Sequence, residues 1–544
     1  MRKIKNLLLV LLVAFLIVYF AMPVVSYGFT DFALVLIVLI ALLTLLNHRF
    51  ISRPTPQNIN FQFKSSGLKV PGAIILILGV YIIVLPMVTS LTVLRSKDYR
   101  DLIGTVDVGQ NLADHMAPIS IERIRVVDQS LANLLGDKVL GAQPALGSQV
   151  RLGTFNIQKV GSELYWVAPL LHSGFFKWNK NSDGTPGYVM VNATNERDVR
   201  LVDNIKGKKI RIKYQPEAYF FSNLERHIYF SGYFNCGLAD YSFEIDDEGH
   251  PYWVVTKYEK KVGFSGDDAV GVVVVDTETG AVKEYSIADA PAWIDHIQPA
   301  NFIEKQLKDW GEYVNGYWNF SNENKLQITE DVSLVYGDDN RAYWYTGLTS
   351  VGSDEATVGF VLVDTRTKKA VWYRQSGATE YAAKNSAVGK IQEKRYSAST
   401  PIPYNINGIP TYVMTLKDDG GLVKMFAMVA IEDYTIVGVG NTMRETLMAY
   451  KSAMNMTGNK LNVKNANQKM SLKTVITRIS NDVKNGNSFY YFTVKDNKNI
   501  FIGSSQVSNE IPVSVVGDSV EINFDSDMQG VLDVSGFKNK SLGK

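Results

Sequence analysis

Residues 270–282 read VGVVVVDTETGAV. The valines at 270 and 272–275 are β-branched and suit a pleated strand. Asp276 opens a polar turn that Gly280 closes, because an Asp side chain bonds its own backbone and stabilises a tight reversal. A second strand resumes at Val282, so the stretch reads as a hairpin.

The same phrase recurs along the chain. GYVMVNATNERDV begins at Gly187, VGFVLVDTRTKKAV at Val358, and MFAMVAIEDYTIV at Met425. An aromatic strand precedes each copy, with Tyr165 and Trp166, Tyr252 and Trp253, Tyr343 and Trp344, and Tyr412. The copies lie roughly 70 to 90 residues apart, and Asn192, Asp276 and Asp364 occupy the turn in the first three. Helical stretches separate them. Residues 119–140 carry Ile121, Ile124, Val127, Leu131, Leu134 and Leu135 at spacings of three and four, with Gly141 and Pro144 as stops. Residues 290–317, 379–394 and 441–454 read likewise as helices. The body is therefore expected to be α+β, built from repeated antiparallel hairpins and helices.

This unit resembles the PepSY-like repeat, on the strength of the Asp276-Thr277-Glu278-Thr279-Gly280 turn before another strand. The third copy departs from it at Lys368, where the second has Gly280. The resemblance implies an extracytoplasmic, non-enzymatic module attached to membrane proteins, which restrains proteases or binds envelope partners. It supplies no catalytic residues.

Upstream, Leu7–Val25 is uncharged and apolar, the length that crosses a hydrocarbon layer about 30 Å thick. A cleaved signal peptide would share the basic Arg2, Lys3 and Lys5 and the small residues near Ala21. A second apolar run a few residues later argues for a helical hairpin instead, and a third run follows. Three spanning helices are expected at about 7–25, 29–46 and 71–94. Arg49, Arg53, Lys64 and Lys69 mark the second loop as cytoplasmic, and the first loop has no Lys or Arg. The amino terminus is then cytoplasmic and the large carboxy-terminal region extracytoplasmic, in a multi-pass bacterial cell-membrane protein. Arg95, Lys97 and Arg100 after the third run are the argument for the opposite orientation.

After the repeats, Met470–Phe524 alternates five short β-rich runs, LKTVITRI, SFYYFTV, NIFIGSS, IPVSVV and SVEINF, with turn residues. A small all-β barrel of OB type is expected, with an SH3-like barrel as the alternative. The division of the chain is then 1–95 anchor, 96–240 first α+β region, 241–330 second repeat, 331–455 third and fourth repeats, 456–469 linker, 470–526 barrel and 527–544 flexible tail. On the barrel, Phe489, Tyr490, Tyr491 and Phe492 are the candidate surface-binding aromatics, with Lys473, Lys484, Lys495 and Lys498 in the same domain. Four consecutive strand residues place two on each face, so at most two are available to a ligand.

Chemistry is sparse. The charge balance is 56 Lys plus Arg against 54 Asp plus Glu, net +2, which disfavours a dedicated nucleic-acid binder. A metalloprotease helix, a phosphate-binding glycine loop and a nucleophile elbow are absent. The six histidines, at 48, 115, 172, 227, 250 and 296, are scattered. Cys236, the single cysteine, reads as a buried structural thiol. Asn179, Asn181, Asp183 and Gly184 open like a calcium loop, but Met190 stands where the bidentate carboxylate belongs. Asp246, Asp247 and Glu248 read as a solvated turn. No metal and no cofactor are expected, and no catalytic residue is assigned.

The expectation is a membrane-anchored, non-enzymatic scaffold or binding protein whose partners are the lipid bilayer and protein or cell-wall components. Two rivals stand beside it. One is an envelope-acting enzyme whose site is dispersed in sequence, with His172, His250 or His296 near carboxylates. The other is a subunit of a membrane-spanning assembly.

Overall fold

The computed structural model describes residues 2–47, 68–112, 116, 123–337, 341–352, 356–406, 408–457, 469–484, 487–505, 507–525 and 531–543. His48, His115, the loop with Arg49, Arg53 and Lys64, and most of the linker 456–469 lie outside the described residues. The chain divides into two compact units, residues 1–111 with 124–379, and residues 112–123 with 380–544.

The register of the first unit's sheets makes its three repeats equivalent. Tyr165 faces Asn192, Tyr252 faces Asp276, and Tyr343 faces Asp364, each across an antiparallel pair. The residue after the turn acid offers its carbonyl to two successive N–H groups of the segment that enters the repeat. Ala193 accepts from Val126 and Val127, Thr277 from Lys213 and Tyr214, and Thr365 from Ile297 and Gln298, at 2.8 to 3.0 Å. The indole of each repeat's tryptophan then donates to the second residue of that pair. Trp166 reaches Val127 at 2.8 Å, Trp253 reaches Tyr214 at 2.9 Å and Trp344 reaches Gln298 at 2.8 Å. A repeat is thus an entry segment, a helix, and a meander closed onto its own entry by one indole.

This closure shortens the expected helices. The first runs Gln129–Gly141 rather than from 119, because Val126 and Val127 are extended against Ala193 and Asp128 caps the helix through Leu131 N at 2.9 Å. The helix expected over 290–317 is Ala300–Glu312, for the same reason at Ile297 and Gln298. The turns follow their acids: Asp276 Oδ1 accepts from Glu278 N and Thr279 N, and Asp364 Oδ1 from Arg366 N and Thr367 N. Gly280 and Lys368 both take a left-handed φ, +74° and +63°. The Lys368 ammonium is held by the Leu102 carbonyl at 2.7 Å and by Asp268, which offsets the strain of a β-carbon at that φ.

The amino-terminal runs form α1 (Arg2–Ala21), α2 (Asp31–Asn47) and α3 (Lys69–Thr89), followed by α4 (Thr92–Arg100). Among the described residues two helices, α1 and α3, are long and apolar enough to cross a membrane, and only 6% and 0% of their spans are buried in protein. The 17 residues of α2 would rise about 25 Å. α3 stops short of the expected 94, because Leu91 is extended before α4 begins.

The soluble part of this unit sits on the helix ends. The Tyr229 hydroxyl donates to Pro23 O at 2.9 Å, Val25 N donates to Phe234 O at 2.8 Å, and Arg226 Nε donates to Tyr19 O at 3.1 Å. The hairpin between strands Pro251–Val262 and Ser265–Asp276 reaches both the α1–α2 turn and the end of α3. Phe264 packs against Tyr27 and Tyr81, and its N–H donates to Ser90 Oγ at 2.7 Å.

In the second unit the fourth repeat pairs Tyr412 with Val429, and Ala430 stands where the other copies have their turn acid or amide. Strands Lys469–Lys484, Asn487–Val494, Ile500–Ser504, Val531–Asn539 and Ser519–Asp525 close, in that order, into a five-stranded barrel. The fifth strand is a correction. Residues 511–516 were expected to supply it, but Ile511–Val513 is a single 3-10 turn: Pro512 has no N–H for a ladder, and Ile511 plugs the barrel at 0% exposure. The expected tail supplies the strand instead, with Leu532, Val534 and Phe537 turned into the core.

Candidate functional site

Four ionisable groups of the second and third repeats lie within electrostatic reach of one another, against the first repeat's Lys159. The edge strand Gly237–Ile245 of the second repeat slips register against its neighbour between Val255 and Thr256, which face Tyr241 and Ala239. Asp240 is left over as a bulge residue at φ +50°. A bulge re-aims a side chain out of the ladder. Glu244, opposite Tyr252 on the same strand, is 1% exposed. Its Oε1 accepts from Ser242 Oγ at 2.7 Å, and its Oε2 has no hydrogen-bond partner.

The third repeat contributes Asp295 and His296 from its entry segment. Asp295 Oδ2 accepts from Lys159 N of the first repeat at 2.7 Å and from the Tyr336 hydroxyl at 3.1 Å. His296 lies nearly parallel to the Trp344 indole, with centroids 5.7 Å apart, and its Nε2 is unpartnered. The first repeat adds Gln158, buried, whose amide bonds both the carbonyl and the N–H of Ile245 at 2.9 and 3.0 Å.

Burial sets the electrostatics. It pushes Glu244 up to about 8, helped by the charges of Asp295 and Asp240 and opposed by the Ser242 hydroxyl. It lifts Asp295 to about 6 against the stabilising Lys159 N–H and Tyr336 hydroxyl. It lowers His296 to about 4, with Asp240 pulling the other way. Asp240 is also raised by desolvation, with His296 pulling the other way. At neutral pH Glu244 keeps its proton and His296 is uncharged. No trio of acids, His or Cys with metal-binding geometry occurs among the described residues.

The residues singled out from the sequence are not brought together. Phe492 is in the barrel core at 1% exposure and Tyr490 packs against that core, while Phe489 and Tyr491 are half-buried on the outer face. His172 is sealed at 1% exposure, with both ring nitrogens unpartnered, and burial lowers it to about 4. His250 Nε2 lies 2.9 Å from Asp276 Oδ2, which fastens a turn. Cys236 is buried and its thiol raised by burial. Asn181 spends its amide on Lys177 O and Gln149, and Asp246 Oδ1 takes the N–H groups of Glu248 and His250. Among the described histidines, His296 is the one that lies near several carboxyl groups shifted by desolvation. The missed signal was Asp295-His296 set between the fully buried Ile294 and Ile297.

No family model and no curated protein matches the chain. Among solved structures, a Bombyx mori GH32 beta-fructofuranosidase aligns over 75% of this chain and 70% of its own, at 8% identity and TM-score 0.16. A B. megaterium levansucrase variant aligns over 76% and 96%, at 10% identity and TM-score 0.17. Scores this low carry no likeness of fold, and nothing is transferred from either protein.

Proposed function

We propose that the chain is a membrane-anchored, non-enzymatic scaffold or binding protein of the bacterial envelope. Its repeats and terminal barrel stand outside the cell membrane, available to protein or cell-wall partners. The observation that carries this is the apolar surface of α1 and α3, of whose spans only 6% and 0% are buried within the described chain although α2 packs beside them. In water such a surface would be untenable, and in hydrocarbon it is the ordinary exterior of a spanning helix.

The seating of the soluble body supports the three-crossing topology. It touches the α1–α2 turn and the end of α3, and three successive crossings bring those two points to the same face. The helix-first repeats favour the PepSY-like reading, and the strand order of the closed barrel favours the OB type over the SH3-like one. The test is a pair of reporter fusions, one active only in the periplasm and one only in the cytoplasm, placed after Arg100 and after Lys544. Activity of the periplasmic reporter alone at both points is expected. Cytoplasmic activity would overturn the topology and with it the envelope setting.

A second reading, an enzyme with a dispersed site, is favoured by the cluster of Asp240, Glu244, Asp295 and His296. Against it, the most perturbed acid is sealed at 1% exposure, and Asp295 is spent on the first repeat's backbone and on Tyr336. Those are the properties of a joint between repeats. Turnover of an envelope polymer that Asp240→Asn and His296→Gln abolish would reverse this preference.

A further inference from the structure

Two clusters of large aromatic side chains stand exposed on the first unit, each at the point where a membrane helix ends. The first begins at the last turn of α1. Tyr19 packs against Phe221 and Phe230, with ring centroids 5.6 and 6.3 Å apart, and the guanidinium of Arg226 lies 4.3 Å over the Tyr19 ring. Next in sequence to Phe221, Phe220 packs at a tilt against Trp178 with centroids 5.6 Å apart, and Phe175 and Phe176 extend the cluster. Phe220 and Phe221 are 57% and 56% exposed, and Phe176 is 85% exposed. Phe220 also takes a left-handed φ of +52°, a costly backbone state for an aromatic residue, with its carbonyl held by Arg226 Nη1 at 2.8 Å.

The second cluster is tied to the exit of α3. Tyr313, at the end of helix Ala300–Glu312, bonds Thr92, the first residue of α4 and three residues past α3. The loop that follows presents Trp318 and Phe320, 68% and 73% exposed, with centroids 5.7 Å apart. Asn319 stiffens that loop by bonding Glu323 through both its amide nitrogen and its oxygen, at 2.8 and 3.2 Å.

We infer that both clusters sink into the headgroup–acyl boundary of the bilayer that carries α1 and α3, on the side where the soluble body stands, so that the body lies on the membrane as well as being tethered to it. This rests on the membrane-anchored reading above. The occupant follows from position. One cluster is in ring contact with the last turn of α1, and the other follows directly on a helix whose end bonds Thr92, three residues past α3, so each cluster is tied to a helix exit. Aromatic rings favour that depth, and the neighbouring Lys177 and Lys180 suit its phosphate layer. A protein partner has no reason to select two sites that coincide with two helix exits. Soluble surfaces rarely leave such residues in contiguous patches.

The test uses the full chain in vesicles of phosphatidylethanolamine and phosphatidylglycerol, with Cys236→Ser as background. A nitroxide is attached at Phe176→Cys, Trp318→Cys, Phe320→Cys, Leu12→Cys or Glu248→Cys, and its collision with oxygen is compared with that of a water-soluble nickel chelate. Glu248 is the aqueous reference. It precedes a 12-residue strand whose other end touches the bundle, about 40 Å away. Leu12 lies mid-way along α1. The expected result is Leu12 deep, Glu248 aqueous, and positions 176, 318 and 320 at intermediate depth, with oxygen favoured several-fold over nickel relative to Glu248. Aqueous values at 176, 318 and 320 with Leu12 deep overturn the inference and leave the anchor standing. Shielding from both reagents there overturns it in favour of a protein cover. An aqueous Leu12 removes the anchor itself. Three aromatic positions guard against one substitution that disturbs its own loop.

Discussion

Glu244 is where a single residue has the largest measurable consequence. Folded, it holds its proton up to about pH 8; in the unfolded chain it releases it near 4.5. Between those values the folded chain binds more protons, so stability falls as pH rises, by about 1.4 kcal/mol per pH unit. Asp295 acts in the same direction between 3.8 and about 6. His172 and His296 act oppositely, because burial lowers them from 6.5 to about 4, and they erode stability as pH falls through that window. Asp309, raised by burial to about 6, adds to the acids below that pH, and above 6.5 Glu244 acts together with His250, whose imidazolium is stabilised by Asp276 and whose contribution is likewise lost as pH rises. Thermal unfolding in detergent should therefore show a midpoint that declines from pH 6.5 to 8, and Glu244→Gln, which keeps the Ser242 contact, should make the decline shallower while leaving the part due to His250. An unchanged slope in that variant would assign the effect elsewhere. Gly280→Ala is the backbone counterpart: the new β-carbon would sit 2.4 Å from the Tyr214 ring at φ +74°, and a loss of about 1 to 3 kcal/mol is expected in the same assay. The turn acids and Gly280 were legible in the sequence because their partners are two to four residues away. The cluster was not, because Lys159 and Asp295 are 136 residues apart and Gln158 and Ile245 are 87 apart.

At the scale of elements, the repeat depends on one indole closing each meander onto its entry segment. Trp253→Phe keeps the ring in the core and removes the donor to Tyr214 O, leaving a carbonyl that has lost a partner; the expected cost is about 1 to 3 kcal/mol. Trp166→Phe and Trp344→Phe should cost similar amounts, and one outlier among the three would show that the repeats are not energetically equivalent. The strands and their order of appearance could be read ahead because period-two patterning and Asx turns are local signals. The helix starts could not, since the residues before them are held extended by a carbonyl some 65 residues downstream. The barrel fails in the same way. Ile511–Val516 is the more apolar run and reads as the better strand, whereas Val531–Asn539 mixes Asp533, Ser535 and Lys538 among its core residues. Removing residues 531–544 should open the barrel along two edges and abolish its cooperative unfolding, detectable as early hydrogen exchange confined to residues 469–525.

For the whole molecule the question is whether helices and soluble body move as one piece. The attachment is made at separate points: Tyr229 and Arg226 on the end of α1, Phe234 on the α1–α2 turn, and Phe264 with its N–H on α3. Gly263, at φ +63°, lets the hairpin close on α3, since a β-carbon there would lie 2.4 Å from Thr89 Oγ1. A tether of one covalent link would leave the body free to swing, whereas attachments on both sides of the bundle fix its tilt. The distance between nitroxides at Leu12 and Glu248 reads that tilt. In the parent chain the distribution should be narrow. With Arg226→Ala and Phe264→Ala together it should broaden by several ångströms around a similar mean, because the remaining contacts at Tyr229 and Phe234 still locate the body but no longer brace it. A parent distribution as broad as that of the double variant would mean that these contacts do not restrain the body.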